Sequence, residues 1–572
     1  MKRNHKIEVS FKEIFYKGTL TLLTTFGAGL LFGKENMMIA FVLALGSGSL
    51  ATQNLRIRTF SKALRLIFLD VCIVFIAYVA ALNRWWAIPI NLITLFSIIY
   101  LTVSPYRQNS YKTFMMLYVF CQYNSVSAME LPKRLIMVVM TVGVVVTSIY
   151  IEQNKIKALL PPQMGKAFEW VYKQLLLLEQ GEYCPEFGKE IIHEMNQVAD
   201  VIYGSSFRKY FTTYIGKVHF HFYLNICYLN LLLEQMSDQR IRQQIGREEI
   251  KALCQVFEKV DYYFKRELSR HEVIEAFESY LAKYDKKKAE GFNEQVRSLM
   301  FAMNKSFMEL EELPFREKNK VYSSWKRSEL GKVRYKAIRY LSLKSMSFNF
   351  AVRMSLILTL GLLLANVLGF YKFIWVIIPI MSITQPYVED TRRRKKDRLD
   401  SNILAAVVLT ILMNVIHIRW ITLVILVAAF YLYYAYKDYY HASLFLTIIS
   451  MCISSIGTGI NTLFFYRIIY IIIGVTVVEL SSRLIPYRLE DGISELVDQM
   501  EEINHILEEE SLKSKQNQAD LNRIREATIY SAILSQKLCL KNKDYQSDRI
   551  RFLISVNSEF VIRLSYNILI QT

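Results

Sequence analysis

Hydrophobic residues fall into two long blocks separated by a stretch of different character. Apolar runs cover about 19–33, 36–53, 64–82, 87–103, 112–128 and 134–151 in the first block. In the second they cover about 350–369, 371–385, 402–416, 420–436, 439–456 and 466–485. Roughly twenty mainly apolar residues are needed for a helix to cross a bilayer, where each backbone amide must be satisfied inside its own segment. The pattern therefore predicts an all-α membrane protein of about twelve spans, six per block.

Between the blocks the chain turns to mixed charge with helical periodicity. Phe168, Val171, Leu175 and Leu178 recur at three and four residues and place one apolar face on a helix that opens at Pro161-Pro162. The stretch Val218 to Leu233 nearly passes for a span, but His219, His221, Asn225 and Asn230 within it indicate a buried bundle helix. After Pro486, Ile493, Leu496, Met500, Ile503 and Leu507 alternate three and four apart, predicting a helical hairpin or short coiled coil. The expected domains are a first membrane repeat over 1–151, a cytoplasmic helical bundle over 152–345, a second membrane repeat over 346–486 and a helical cytoplasmic tail over 487–572.

The blocks resemble two copies. One offset, 332 residues, carries Thr52-Gln53 onto Thr384-Gln385, Thr59 onto Thr391, Lys62 onto Arg394, Gly29 onto Gly361 and Asp70 onto Asn402. Six spans in each copy return the chain to its starting side, so the copies are expected to be parallel repeats about an axis along the membrane normal.

Charge sets the orientation. Arg56, Arg58, Lys62 and Arg65 follow the second run, and Arg392 to Lys396 with Arg398 follow the eighth, whereas the connections Asn83 to Trp86 and His417 to Trp420 carry one arginine each. By the positive-inside rule both termini and the long middle segment are expected in the cytoplasm. Trp85, Trp86 and Trp420 suit the opposite interface.

Composition agrees with a membrane class: 53% of the 572 residues are hydrophobic and 13% aromatic. The net charge of +19 lies mostly between apolar runs rather than on a separable basic domain, which disfavours nucleic acid as a partner and favours membrane lipids. Seven scattered cysteines form no CxxC pair and imply neither a disulfide framework nor a zinc site. The apolar run after Lys2-Arg3 lacks a convincing cleavage site and is expected to be a retained first span. No GxxxxGK[ST], GxSxG or HExxH pattern occurs, so ATP-driven transport by this chain and hydrolytic catalysis are disfavoured, and neither cofactor nor metal is expected.

The exit of the eighth run reads Gln385-Pro386-Tyr387-Val388-Glu389-Asp390-Thr391-Arg392-Arg393-Arg394 and continues to Arg398. Here the chain resembles the fusaric-acid-resistance and aromatic-acid-exporter superfamily. The resemblance extends to Arg467, Gly474, Arg483 and Pro486, to Asn83-Arg84-Trp85-Trp86 and Ile88-Pro89-Ile90-Asn91, and to the order of spans, soluble domain, spans and soluble tail. Two positions depart from the superfamily's pattern. Ser401-Asn402 replaces the usual Gly-Thr pair, and Tyr470-Ile471 replaces an acidic-Thr pair. The resemblance implies a secondary transporter in a bacterial cytoplasmic membrane that exports small organic acids, aromatic or other, on the proton or potential gradient. It also implies a homodimer and leaves any further periplasmic or cytoplasmic partner open.

Candidate positions for the substrate path or its mouth are Thr52, Gln53, Thr384, Gln385, Thr391, Arg394 and Arg398. Arginines at a span mouth attract organic anions and pair with carboxylates, but the same residues fix topology and touch lipid headgroups in almost any membrane protein. The threonine and glutamine sites serve equally well as glue between helices. Asp70, an acid within the third run, is a proton-coupling candidate, with an interfacial ion pair to Arg65 as its structural alternative. Glu479 and Arg483, four apart, are expected to pair along their helix. His219 and His221, two apart, point away from each other on a helix and fit core packing better than a metal site. The tyrosines Tyr431, Tyr433, Tyr434, Tyr436, Tyr439 and Tyr440 fit an aromatic belt, with stacking on an aromatic substrate as the alternative. Two other function classes remain open: a passive anion channel, since plant malate channels resemble this superfamily in their membrane part, and a membrane scaffold acting through its soluble helices.

Overall fold

A computed structural model of the chain describes residues 10–46, 59–103, 109–155, 159–206, 209–284, 291–314, 317–328, 341–415, 419–436, 438–454, 460–545 and 547–571. Secondary structure among them is helical, with two isolated antiparallel bridges, Tyr210 with Lys326 and Thr213 with Val321. Contacts divide the chain into two compact units. One holds 1–55, 59–153 and 340–495, and the other 56–58, 154–339 and 496–572.

In the first apolar block each run lies on a helix: α1 (Phe11–Phe32), α2 (Met37–Leu45), α3 (Thr59–Leu82), α4 (Ala87–Thr102), α5 (Lys112–Tyr123) and α6 (Leu131–Lys155). Ser10 caps α1 by accepting from the Glu13 N–H, which satisfies one of the donors a helix start leaves free.

The helices described between the blocks are α7 (Pro162–Gln180), α8 (Pro185–Gly204), α9 (Tyr214–Gln235), α10 (Gln239–Ile245), α11 (Arg247–Lys265), α12 (Arg270–Lys283) and α13 (Phe292–Glu312). Helix α7 opens where the proline pair predicts and buries Phe168, Val171, Leu175 and Leu178 as the periodicity requires. It ends at Gly181, whose φ of 92° is left-handed backbone that a side chain would strain. Helix α9 forms the centre of this unit and packs on α8, α13 and, from the tail, residues 548–571. Its core is aromatic: Phe222 meets Phe307 edge-on at 4.8 Å, and Phe168 and Phe277 close around the same ring.

The second block gives α14 (Met346–Leu368), α15 (Ile374–Ile383), α16 (Val388–Val415), α17 (Arg419–Ala435), α18 (Tyr439–Ser454) and α19 (Ile460–Leu484). Three tail helices follow, α20 (Leu489–Ser514), α21 (Leu521–Tyr545) and α22 (Asp548–Gln571). In α20 the residues Ile493, Leu496, Met500, Ile503 and Leu507 are buried, and α21 packs against α22.

Among the described residues six helices are long and apolar enough to cross a membrane: α1, α3, α6, α14, α16 and α19, bounded as Phe11–Phe32, Phe60–Leu82, Leu131–Glu152, Met346–Leu368, Val388–Val415 and Asn461–Leu484. The helices described in the other runs are shorter; Gly33 ends α1, Gly369 ends α14, and the chain breaks from Thr384 to Tyr387 after α15. Only 28% of the apolar windows of α1 and α3 is buried within the protein, which leaves most of their surface for lipid. Trp85, Trp86 and Trp420 are 63%, 69% and 75% exposed, as an interfacial position demands.

The two blocks share one core. Leu95, Tyr118 and Phe120 of the first pack in a cluster with Phe350, Met354, Trp375 and Ile380 of the second. The packing is reciprocal: α1 lies on α17, and α14 lies on α4, so the first helix of each block rests on the fourth of the other. Within each block the third helix packs on the fifth, α3 on α5 and α16 on α18.

Candidate functional site

Helix α16 carries the densest polar surface of the apolar blocks. Its first turn holds Glu389 and Asp390, which suit the positive end of the helix dipole, and the arginine run follows. Its buried stripe reads Thr391, Arg398, Ser401, Asn402, Ala405, Ala406 and Leu409. Small residues in that stripe let α18 and α19 approach closely. Helix α15 crosses α19 at Gly474, where an added Cβ would meet the Val376 carbonyl oxygen at 2.9 Å, so glycine is required.

Four helices converge on one buried polar cluster. Arg398 Nη1 donates to Ser443 Oγ at 2.9 Å, and Ser401 Oγ lies 2.6 Å from the same hydroxyl. Asn402 Nδ2 donates to the Arg398 carbonyl at 2.8 Å and to Ser443 Oγ at 3.3 Å. Arg467 on α19 donates through Nε to Asn402 Oδ1 at 3.0 Å and through Nη2 to Thr447 Oγ1 at 3.1 Å. Thr447 Oγ1 itself lies 2.9 Å from Asn402 Oδ1. The Arg467 guanidinium sits 5.1 Å from the ring centre of Trp375 on α15, a cation–π contact.

Arg398 and Arg467 are each 2% exposed, and every partner named above is neutral. Among the described residues no carboxylate pairs with either guanidinium, and the two are near enough to repel one another. Arg398 Nε and Arg467 Nη1 have no hydrogen-bond acceptor although both are buried. An isolated buried charge costs several kcal/mol unless paired. This arrangement therefore has an unmet demand for negative charge.

The other residues singled out from sequence have different surroundings. Thr384 Oγ1 donates back to the Ile380 carbonyl at 2.7 Å, Gln385 Nε2 donates to the Thr384 carbonyl at 2.6 Å, and Thr391 Oγ1 accepts from the Gln385 N–H at 3.0 Å. All three are thus engaged with the chain itself, closing the reversal between α15 and α16. Arg353 on α14, which sequence reasoning missed, completes that reversal. It is fully buried and donates to the carbonyls of Gln385, Pro386 and Ile485, the Pro386 contact at 3.0 Å. Half-buried Arg394 lies 4.7 Å from the ring centre of Tyr439. Thr52 and Gln53 lie outside the described residues, as do Arg56 and Arg58.

Asp70 on α3 is 4% exposed, and its Oδ1 has no hydrogen-bond partner. No ion pair joins it to Arg65 among the described residues. Nearby in the fold, Arg134 on α6 donates through Nε to Asn36 Oδ1 at 2.9 Å and through Nη1 to the Cys121 carbonyl at 3.3 Å, leaving Nη2 without an acceptor. Asp70 and Arg134 are the charges that act on buried Cys121. Glu479 pairs with Arg483 at 3.1 Å along its helix and also with Lys395 at 2.7 Å. Two of the tyrosines hold α17 to α1: Tyr431 OH lies 3.0 Å from Thr19 Oγ1 and Tyr434 OH 2.7 Å from Thr21 Oγ1.

In the unit between the apolar blocks the two histidines face different partners. His219 Nε2 lies 2.9 Å from the Leu159 carbonyl, and His221 Nδ1 lies 3.0 Å from Glu309 Oε2. Burial lowers His219 to about 4 and keeps it neutral. Burial pushes Glu309 upward, but His221 and Lys217 outweigh it and hold the carboxyl at about 2.

Ser443, Thr447, Trp375 and Arg353 were not singled out from sequence. Signals were present: Ser443 and Thr447 stand four apart on one face of a mainly apolar helix, and Arg353 and Arg467 within apolar runs are expensive unless used.

Comparison with known proteins meets this same region. Residues 359–480 match the family model described as "Fusaric acid resistance protein-like". Over 125 residues the chain is 30% identical to "Inner membrane protein YccS" of Escherichia coli (strain K12), an alignment covering 21% of this chain and 17% of that protein. No solved structure matches the chain. The chain is a multi-span helical membrane protein, and the block that holds the arginine cluster is fusaric acid resistance protein-like, as the sequence resemblance implied.

Proposed function

We propose that this protein is a secondary exporter of small organic acids in a bacterial inner membrane. The observation that carries the reading is the buried Arg398–Arg467 cluster, two guanidiniums with neutral partners only, inside the block that matches the family model. A path for organic anions needs fixed positive charge away from water, where attraction is strong, and no internal acid to cancel it. In this reading Arg394 and the exposed Arg392 and Arg393 gather anions at the cytoplasmic mouth, and Thr384, Gln385 and Thr391 fix the chain reversal beside it.

Twelve spans in two parallel six-helix repeats, with both termini and the soluble helices in the cytoplasm, complete the proposed architecture. The constant 332-residue offset and the reciprocal packing of α1 on α17 and α14 on α4 support it. Asp70, buried with an unpartnered oxygen, is the proposed proton carrier, and the assembly is proposed to be a homodimer. Neither an enzymatic activity nor a cofactor belongs to this reading.

The test is efflux of labelled benzoate, 4-hydroxybenzoate and succinate from cells with and without the protein. Faster loss of at least one acid, abolished by collapsing the proton gradient, is expected. Equal retention across the panel overturns the exporter. Anion current in a voltage-clamped bilayer without a proton gradient would replace it by a channel.

A further inference from the structure

We propose that Arg398 and Arg467 form a single occluded site for one carboxylate group of an organic acid, cradled by Asn402, Ser443 and Thr447. The assignment rests on the transport reading above and specifies where in the block the anion is held.

Three observations converge on it. The first is charge. Two guanidiniums lie close together, both 2% exposed, with no carboxylate paired to either among the described residues. Bringing a carboxylate between them supplies the counter-charge that the fold omits.

The second is the inventory of donors. Arg467 Nε and Nη2 are held by Asn402 and Thr447, and Arg398 Nη1 by Ser443. Arg398 Nε and Arg467 Nη1 remain without acceptors, one on each arginine. A carboxylate has two oxygens and about four acceptor positions, so a single group can serve both donors with charge-assisted bonds.

The third is preorganisation. Asn402 orients the cluster from both sides: its Oδ1 accepts from Arg467, and its Nδ2 donates to the Arg398 carbonyl and to Ser443 Oγ. Trp375 backs the Arg467 plane at 5.1 Å. The guanidiniums are therefore fixed by neutral groups, so an incoming anion need not displace an internal ion pair. Both free N–H groups are sealed from solvent here, so the carboxylate reaches them only when the block opens, as an alternating-access carrier requires.

The full-length protein in lipid nanodiscs is titrated with radiolabelled benzoate, 4-hydroxybenzoate and succinate, with benzamide as a neutral isostere and chloride as a competitor. At least one acid is expected to bind saturably, benzamide to fail, and equimolar chloride to leave binding intact. R398Q and R467Q are each expected to raise Kd at least tenfold. To separate loss of binding from loss of the fold, R398K and R467K are run beside them. They retain charge but lose the planar fork, and a severalfold rise in Kd is expected. Carboxylate binding that is the same in wild type and all folded variants overturns the site but leaves the exporter standing if efflux persists. Arginine-dependent binding without efflux keeps the site and removes the exporter. Displacement by equimolar chloride, or no binding by any of the acids, overturns the carboxylate assignment.

Discussion

The helical unit outside the apolar blocks and the second apolar block bury charge in opposite ways. In the former, Glu249 is 3% exposed and fully answered: Arg297 donates through Nε and Nη2 at 3.2 and 3.1 Å, and Tyr280 OH donates at 2.7 Å. Glu510, 1% exposed, likewise takes Arg523 at 2.9 Å and Lys513 at 3.5 Å. In the apolar block, Arg398 and Arg467 receive only hydroxyls and an amide. A closed pair fixes a fold, whereas an open one is costly to keep and makes sense when a mobile anion completes it. The first apolar block buries charge at other positions: the 332-residue offset carries Arg398 back to Leu66, Ser443 to Tyr111 and Thr447 to Met115, and the block instead buries Asp70 and Arg134, the latter held by the neutral Asn36 amide and the Cys121 carbonyl. The paired guanidiniums of Arg398 and Arg467 belong to the second block.

Breaking a closed pair should have the largest effect. Glu249→Gln leaves half-buried Arg297 without its counter-charge and is expected to destabilise its unit by about 3 kcal/mol. Hydrogen exchange over 247–312 in the detergent-purified chain reads this loss, and unchanged protection would show that the pair is idle.

Next comes the neutral histidine of the same unit. Its folded value, about 4, lies below the unfolded 6.5, so the unfolded chain takes up the proton first and stability falls as pH drops through that window. The expected loss from pH 7.5 to pH 5 is about 2 kcal/mol, removed by His219→Phe. The same exchange experiment at the two pH values, corrected for intrinsic rates, checks it.

Closing the open site from within should cost less in energy but more in function. Asn402→Asp gives Arg467 an internal carboxylate and is expected to lower efflux about tenfold or more, roughly 1.4 kcal/mol, while improving thermal stability in detergent. Faster efflux would break the contrast between open and closed charge.

The smallest effect is expected at Asp70→Asn, about a threefold slower efflux with normal membrane insertion and a flattened pH dependence. An unaltered pH profile would remove Asp70 from proton coupling.

Helices were the most legible part of the sequence, because each apolar run is a local pattern. Phe168, Val171, Leu175 and Leu178 fixed the face of α7, and Ile493 to Leu507 that of α20. Helix length was less legible. Helix α15 spans ten residues, about 15 Å against a hydrocarbon core of about 30 Å, since the chain reverses at Thr384–Tyr387 where Pro386 cannot donate an N–H. The site was legible only in part. Arg398 stood out within a basic run, but Asn402, Ser443, Thr447 and Arg467 assemble around it from three helices, and Arg467 lies 65 residues from its partner Asn402. No spacing rule joins such positions. Thr384, Gln385 and Thr391 were conspicuous by their repeat, yet their hydrogen bonds return to the backbone, a distinction that depends on where a side chain points.

The most direct measurement is a cryo-electron microscopy map of the full-length protein in nanodiscs with 4-iodobenzoate, whose heavy atom marks the ligand. The expected result is carboxylate density between the Arg398 and Arg467 guanidiniums, absent from a matched map with iodobenzene. Iodine density elsewhere, with the two arginines still joined only to neutral side chains of the protein, would contradict the claim that their open charge is completed by an organic acid.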